Sequence, residues 1–151
     1  VFLDEIGEMP SELQPKLLRV LQQREVLPVG ASAPVPIDVQ IVAATNRDLE
    51  QEVEKGAFRE DLYYRLNMIE LRVPPLREHP EDIPELAGFF LAKVSAECRR
   101  NFRLTPAAMR KLQAYPWPGN VRQLRAALES AAVMSETDVI DADAIPLTGV
   151  T

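Results

Sequence analysis

Two pairs of polar residues, each directly after an apolar run, are the groups in this sequence best suited to chemistry. Asp4 and Glu5 follow the letters VFL, and Thr45 and Asn46 follow IVAA. Short, continuous apolar runs are typical of buried strands. In an open parallel sheet, ligands bind just beyond the carboxyl ends of the strands. We therefore expect these four side chains to lie along one edge of a sheet.

The residue types suit the hydrolysis of a nucleoside triphosphate. One carboxylate can hold Mg²⁺ directly or through water, and its neighbour can polarise the attacking water. A hydroxyl or an amide on the adjacent strand can place that water against the γ-phosphate. An Asp-Glu pair after three apolar residues is weakly specific by itself, because an acidic pair also caps a following loop. Both interpretations stay open on these residues alone.

The composition excludes several other classes of protein. A hydrophobic fraction of 46% with 26% charged residues is typical of a folded, water-soluble chain. No apolar run approaches the roughly 20 residues that cross a bilayer, so we expect no membrane association and a cytoplasmic location. Cys98 is the only cysteine, which rules out an internal disulfide and a zinc site built on paired cysteines.

The first half of the chain alternates predicted strands with predicted helices. The predicted strands are residues 1–3, VQIVAATN and MIELRV, with a hairpin or long strand connection over REVLPVGASAPVPIDVQ. The predicted helices are residues 11–23, 47–54 and 59–66. This alternation indicates a parallel α/β sheet.

Helices dominate after the proline-broken segment PPLREHPED. The pattern predicts a helix over residues 83–97, a second with Thr105 as N-cap and Pro106 in its first turn, and a third running to about Met134. Asn120 and Gln123 resemble a capping box that opens the third helix. Trp117 lies between two prolines and is predicted to anchor the packing. The tail therefore predicts a small helical subdomain.

These patterns give four expected segments. We expect an α/β core over residues 1–75, a junction over 76–82, a helical subdomain over 83–140 and a linker over 141–151. The last segment is small, polar and contains Pro and Gly, which is typical of a linker. Residue 1 lies inside an apolar stretch, so we expect the chain to be a fragment.

Positive charge is concentrated in one stretch of an acidic chain. The net charge is -6, yet Cys98 through Leu128 contain no acid. The seven bases there are Arg99, Arg100, Arg103, Arg110, Lys111, Arg122 and Arg125. This segregation suggests that the last third faces a nucleotide, a nucleic acid or an acidic surface, with a solvated helical face as the alternative.

Five stretches together resemble the central ATPase domain of bacterial enhancer-binding proteins, the AAA+ activators of sigma-54 RNA polymerase. They are VFLDEIGEMP, IVAATNRDL, FREDLYYRLN, RVPPLRE and WPGNVRQL, in that order and at those separations. The resemblance covers nearly all of the chain. It implies an α/β, parallel-sheet AAA+ P-loop NTPase core, of which only the C-terminal half is present, followed by a small all-helical lid subdomain.

The resemblance also implies roles for the polar pairs. VFLDE resembles a Walker B strand, with Asp4 serving Mg²⁺ and Glu5 as the catalytic carboxylate. ATNRDL resembles sensor I, which maps onto Asn46 with Thr45 beside it. The implied cofactors are ATP and Mg²⁺.

Arg59 and Arg65 are six residues apart, which is about 240° round a helix. One straight helix therefore cannot aim both at the same phosphate from the same face. An ion pair between Arg65 and Asp61, four residues apart, is the structural alternative. FREDLYYRLN resembles the arginine-finger region of the family, which implies that both arginines reach ATP bound by a neighbouring subunit.

Arg122 falls in the first turn of a predicted helix, where the helix dipole disfavours a cation. An anion bound there would be attracted by the helix N-terminus and by the guanidinium together. GNVRQL resembles the sensor II motif of the family, which implies that Arg122 contacts nucleotide. An exposed arginine without a ligand is the alternative.

Two family motifs are absent from the sequence. It contains neither a G-x-x-x-x-G-K-[ST] loop (Walker A) nor the GAFTGA loop that engages sigma-54. Both precede Walker B in the family, so the resemblance implies the downstream half of a domain. We expect that this chain, taken alone, neither folds stably nor hydrolyses ATP.

For the parent protein, the resemblance implies an ATP-hydrolysing ring, expected to be a hexamer, that remodels the closed complex of promoter and sigma-54 RNA polymerase holoenzyme. DNA binding is expected through a separate domain outside this chain. One alternative is a non-hydrolysing, DNA-associated regulatory or interaction module of the same fold. Another is direct nucleic-acid binding by the seven-base stretch.

Overall fold

A computed structural model of the chain describes residues 1–147. The chain divides into two compact units: unit 1 covers residues 1–71 and unit 2 begins at Arg72. The predicted junction at residues 76–82 therefore lies within unit 2. In the described part of the chain, no helix has the length and apolar character needed to cross a bilayer.

Unit 1 combines short strands with three helices. Its elements are β1 (Phe2–Leu3), a 3₁₀ turn (Ile6–Glu8), α1 (Gln14–Gln23), β2 (Glu25–Val26), β3 (Val35–Pro36), β4 (Val42–Ala43), α2 (Leu49–Glu54) and α3 (Glu60–Leu66). β1 pairs with β4 in parallel, and β2 pairs with β3 in an antiparallel hairpin. The predicted parallel pairing and the predicted hairpin are both confirmed.

The core of unit 1 forms where α1 and α3 meet the turn after β1. Ile6, Leu18, Phe58 and Leu62 are all buried there, and Leu62 has no exposed surface. Of the four apolar residues at helical spacing in this segment, Leu17, Leu18 and Leu21 belong to or pack against this core, whereas Leu13 precedes α1 and is 40% exposed. α1 begins at Gln14, three residues later than predicted, with Pro15 in its first turn.

The predicted strand over residues 68–73 does not form. Met68, Ile69, Leu71 and Val73 are each 82–87% exposed, and no strand is assigned to this segment of the described chain. A strand is stabilised by hydrogen bonds to a neighbour, and the apolar pattern alone does not supply that neighbour. The prediction of a third strand was therefore wrong.

Unit 2 is a three-helix subdomain with one short strand pair. Its elements are two 3₁₀ turns (Leu76–Glu78 and Pro80–Asp82), α4 (Ile83–Cys98), β5 (Arg103–Leu104), α5 (Pro106–Ala114), α6 (Asn120–Met134), β6 (Val139–Ile140) and a 3₁₀ turn (Ala142–Ala144). Thr105 caps α5, as predicted, by accepting a hydrogen bond from Ala108 N. The parallel β5–β6 pair is an addition to the predicted all-helical tail.

Trp117 anchors the core of unit 2, as the sequence predicted. Its side chain has no exposed surface. The indole Nε1 donates a hydrogen bond of 2.7 Å to Leu112 O. Its ring meets Tyr115 edge-on, with the centroids 5.0 Å apart. The indole therefore fills the core and satisfies a buried carbonyl at the end of α5.

The segment after β6 contributes to the core of unit 2, although residues 141–151 were predicted to be a linker. Ile145 is 2% exposed and belongs to the core. Lys111 Nζ donates to Ala142 O at 2.6 Å and to Ile145 O at 3.2 Å. Asp141 accepts a hydrogen bond from the Thr105 hydroxyl, which lowers the pKa of its carboxyl group. The rest of the predicted linker, residues 148–151, lies outside the described residues.

Replacing Trp117 tests this packing. We expect Trp117→Ala to lower the free energy of unfolding of unit 2 by about 3–5 kcal/mol, because it empties the largest buried site and removes the shorter of the two hydrogen bonds to Leu112 O. Val133→Ala is the control, since Val133 is 71% exposed on α6. Urea unfolding followed by circular dichroism at 222 nm measures both. Equal stability of the two variants would contradict the assigned role of Trp117.

Candidate functional site

The register of β1 and β4 places the two polar pairs at one edge of unit 1. Leu3 lies opposite Ala43, and the two strands run in parallel. Ala44 N donates to Leu3 O at 2.9 Å, and Ile6 N donates to Ala44 O at 3.0 Å. The four polar residues of these pairs therefore follow the same end of two hydrogen-bonded strands. They are Asp4, Glu5, Thr45 and Asn46, and all four are exposed.

Glu5 adopts a left-handed backbone conformation, with φ of 53° and ψ of 41°. Its N–H donates to Asp4 Oδ1 at 3.0 Å. In the described residues, the other oxygen of Asp4 and both carboxylate oxygens of Glu5 have no hydrogen-bond partner. A non-glycine residue in this region is strained, and such strain is concentrated at functional sites. The carboxylates are thus held in place by the turn yet remain available to a ligand.

Gly7 lets the turn approach β4 closely. A Cβ atom at this position would lie 2.7 Å from Thr45 Oγ1, which is too close for any side chain. Thr45 Oγ1 also accepts a hydrogen bond of 3.0 Å from Arg47 N. The absence of a side chain at Gly7 therefore allows Thr45 to lie close to the turn that follows Asp4 and Glu5, which we call the carboxylate turn. No local pattern in the sequence indicated this contact.

Arg47 connects the turn after β1 to α2 by ion pairs that the sequence analysis did not predict. Its guanidinium lies 2.6 Å from Glu8 in the carboxylate turn and 3.2 Å from Glu52 in α2. Hydrogen bonding from Lys55 is the main cause of a lowered pKa at Glu52, with Arg47 contributing. Arg47 thus links the turn after β1 to the helix after β4.

Arg59 and Arg65 lie at opposite ends of α3. Arg59 is the N-cap residue, and its guanidinium donates two hydrogen bonds to Asp61, of 3.0 and 2.7 Å. Arg65 is in the last turn and donates to Leu21 O at 3.3 Å. The alternative pairing of Arg65 with Asp61 is not observed, because Asp61 is already engaged by Arg59.

The N-terminus of α6 differs from the prediction by one residue. Gly119 is the N-cap, and its N–H donates to Gln123 Oε1 at 2.9 Å. Asn120 has a φ of 51°, and its Oδ1 accepts a hydrogen bond of 2.9 Å from Leu76 N. The predicted Asn120 cap was therefore wrong, because this amide bonds to a backbone group 44 residues away instead.

Arg122 lies in the first turn of α6 in unit 2, as predicted, and its side chain is exposed. Among residues 1–147 it makes no side-chain hydrogen bond or ion pair. The helix dipole places partial positive charge at the N-terminus, so it repels a cation there. Arg122 is therefore well suited to an anion supplied from outside unit 2.

Part of the basic stretch is neutralised inside unit 2. Arg100 donates to Asp138 Oδ1 at 2.8 Å and lies 4.5 Å from the centroid of the Phe102 ring. Arg125 pairs with Glu129 at 2.6 Å, and Lys111 is held by backbone carbonyls. Three of the seven bases thus have structural partners, which argues against a continuous anion-binding surface.

The carboxylate pair fits a nucleotide-bound Mg²⁺ better than a protein-enclosed metal. Among the described residues, no group of three or more His, Cys, Asp or Glu side chains converges on one point. Mg²⁺ is commonly bound by one or two carboxylates together with water and substrate phosphates. Asp4 and Glu5 supply that number and type of ligand. The phosphate-binding glycine-rich loop is not among the 151 residues.

Comparison with known protein families identifies both units. Residues 1–72 match the family model of the Sigma-54 interaction domain, and residues 77–149 match that of the AAA+ ATPase lid domain. The chain belongs to the sigma-54 interaction domain family. The predicted AAA+ core with a following lid is thereby confirmed.

Individual relatives agree with this assignment. The chain is 56% identical over 150 residues to the Nif-specific regulatory protein of Azotobacter vinelandii, covering 99% of this chain and 29% of that protein. It is 52% identical over 136 residues to the DNA-binding transcriptional activator HyfR of Escherichia coli, covering 89% and 20%. The chain thus spans less than a third of the length of either relative.

The fold also matches solved structures. Crystal structures of NtrX from Brucella abortus in complex with ADP and in complex with ATP each give a TM-score of 0.88 at 38% identity. Each match covers 97% of this chain and 35% of NtrX. The structural similarity therefore extends over almost all of this chain.

The Arg59–Asp61 pair predicts a pH dependence. Hydrogen bonding from Arg59 lowers the pKa of Asp61 below its ordinary value of 3.8. The pair therefore stabilises the folded chain above about pH 4, and this contribution is lost as the pH falls through the lowered pKa. We expect Arg59→Gln to raise the pKa of Asp61, measured by the NMR shift of its carboxyl carbon. Lys16→Gln, which removes an exposed cation from α1, should leave it unchanged; equal effects would contradict the pairing.

Proposed function

We propose that this chain is part of an AAA+ ATPase that activates sigma-54-dependent transcription by remodelling the closed complex of RNA polymerase and promoter. The observation that carries the proposal is the parallel β1–β4 register, which puts Asp4, Glu5, Thr45 and Asn46 at one strand edge of a chain that matches this family. The similarity to HyfR, a DNA-binding transcriptional activator, and to the structure of NtrX in complex with ATP supports it.

The strand edge that carries Asp4, Glu5, Thr45 and Asn46, which we call the carboxylate edge, would perform the hydrolysis. Asp4 would hold Mg²⁺, directly or through water, with the oxygen that is not bonded to Glu5 N. Glu5 would polarise the attacking water, and Asn46, with Thr45 beside it, would respond to the γ-phosphate of ATP. When bound, Mg²⁺ neutralises charge on the phosphates. The assignment of Glu5 as the base is supported by its exposed carboxylate, which has no hydrogen-bond partner among the described residues.

Arg59 and Arg65 would complete the site of a neighbouring subunit. Both are exposed, and neither lies on the carboxylate edge. An arginine supplied in trans stabilises transition-state charge and can accelerate phosphoryl transfer by about 10³–10⁵-fold. This role requires a ring of identical subunits, which we propose to be a hexamer. Asp61 engages Nε and Nη2 of Arg59, which leaves Nη1 to donate to the phosphate.

Arg122 would report the nucleotide state to the lid. It has the exposure and position expected of a residue that meets a phosphate at a helix N-terminus. Transmission requires that ATP and ADP differ in their affinity for two arrangements of lid and core. The output would reach sigma-54 polymerase in the cytoplasm, with DNA bound through a separate domain.

We propose further that residues 1–75 are the downstream half of the AAA+ core. The sequence contains neither Walker A nor GAFTGA, and the parallel pairing within unit 1 comprises only the two short strands β1 and β4. By this proposal the 151-residue chain alone is inactive.

Phosphate release from Mg-ATP tests the proposed function in the full-length protein. We expect specific activity to rise with protein concentration, because each site needs a neighbouring subunit. Glu5→Gln and Arg65→Ala should each lower kcat by at least about 100-fold. Lys16→Ala, an exposed change on α1, is the matched control.

Two results would contradict this proposal. Absence of phosphate release by folded protein would leave the non-hydrolysing interaction module as the function. Activity of the isolated 151-residue chain would show that the phosphate-binding half is not required.

A further inference from the structure

Gln14 is the one buried polar side chain in the described part of the chain. It is 1% exposed and lies in the first turn of α1, against the core of unit 1. A buried amide costs free energy unless its hydrogen bonds are satisfied. An apolar residue would fill this position without that cost. The presence of glutamine therefore calls for an explanation in its contacts.

The amide uses its donors and its acceptor at the same time. Nε2 donates to Met9 O and to Ala57 O, each at 3.0 Å, and Oε1 accepts from Arg59 N at 2.8 Å. The three partners fix the orientation of the amide, because rotation by 180° would set its oxygen against two carbonyl oxygens. A carboxylate could accept from Arg59 N but could not donate to either carbonyl.

These contacts join two segments that the proposed mechanism assigns to different active sites. Met9 ends the turn that follows Asp4 and Glu5, which would serve the subunit's own nucleotide. Ala57 and Arg59 flank the buried Phe58, and Arg59 would serve the neighbour's nucleotide. Gln14 is thus bonded to the backbone of both segments within one subunit.

We propose that Gln14 is a positioning residue that couples the carboxylate turn of each subunit to the arginine segment that the same subunit presents to its neighbour. The proposal rests on the proposed function, since it needs a site shared between subunits. A shift of the turn at Met9 is transmitted through the amide to Arg59 N, because the buried side chain cannot follow one partner without loosening the other. Because Gln14 is 1% exposed, it would act through these two segments and not by contact with the nucleotide.

The first test compares two leucine substitutions in the full-length protein. Gln14→Leu removes all three bonds, and Gln22→Leu makes the same change at an exposed position of α1. We expect Gln14→Leu to lower kcat about 10- to 100-fold with the KM for ATP unchanged, because a small displacement of catalytic groups has an effect of this size. Gln22→Leu should match the wild type. Wild-type kcat in Gln14→Leu would overturn the proposal.

Mixed rings separate the coupling from a defect in one segment. Glu5→Gln subunits keep Arg59 but lack the base, and Arg59→Ala subunits keep the base but lack the arginine. Mixing these two should restore activity, which tests the shared site without any change at Gln14. Mixing Gln14→Leu with either one should not restore it, since both of its segments are displaced. Restoration by one partner alone would overturn the coupling, whereas failure of the first mixture would overturn the proposed function.

Gln14→Glu provides a second variant if Gln14→Leu does not fold. It keeps the acceptor for Arg59 N and loses both donors, and burial raises the pKa of the introduced carboxyl group. Protonation restores one donor, so kcat relative to the wild type should recover as the pH falls from about 8 to about 6. Circular dichroism and ring mass at each pH confirm folding and assembly. A constant ratio from folded rings would overturn the proposal.

Discussion

The parallel pairing of β1 with β4 is the constraint on which the arrangement of unit 1 depends. Each strand contributes only two residues, yet parallel alignment brings both carboxyl ends to the same edge. The ladder continues past the strands through Ile6 N and Ala44 O. Ile6 is buried in the core with α1 and α3, so hydrophobic packing supports a hydrogen-bonded register that is too short to be stable alone.

Polar contacts behind the edge then restrict where its side chains can lie. Gly7 allows Thr45 to approach the carboxylate turn, and Arg47 spans the turn and α2. Gln14 ties the same turn to the segment before α3. The exposed carboxylates therefore belong to a turn that is fixed from several directions, which limits the reorganisation needed when a ligand binds.

Sequence patterns located the elements better than the contacts between them. The apolar periodicity of α1 reflects burial against the core of unit 1, and that of α4 and α6 reflects burial against the core of unit 2, so it is visible locally. The cap of α6 was misplaced because Asn120 bonds to Leu76, a partner that no local pattern reveals. The prediction of a strand over residues 68–73 was wrong because a strand needs hydrogen bonds to an adjacent strand, which the local sequence does not reveal. Ile145 was missed because one apolar residue in a polar segment gives no periodic signal.

Gln14 shows the same limit at the candidate site. The sequence indicated Asp4, Glu5, Thr45 and Asn46 because each pair follows an apolar run, whereas Gln14 is one of several glutamines on an amphipathic helix. Its importance depends on burial and on partners up to 45 residues away. Local patterns can therefore suggest groups that meet a ligand, but the groups that position them emerge only from the fold.

The exposure of the proposed catalytic groups suggests when activity would arise. Two unit charges 4 Å apart interact by about 1 kcal/mol in water and about 4 kcal/mol where the effective dielectric constant is near 20. Glu5 and Arg59 are both open to solvent in the single chain, so their fields there are weakened by water. Burial against a neighbouring subunit would strengthen the electrostatic interactions of these charges, because the effective dielectric constant would fall. By the proposed function, each subunit would carry two half-sites, and assembly would supply the low-dielectric environment that makes them effective.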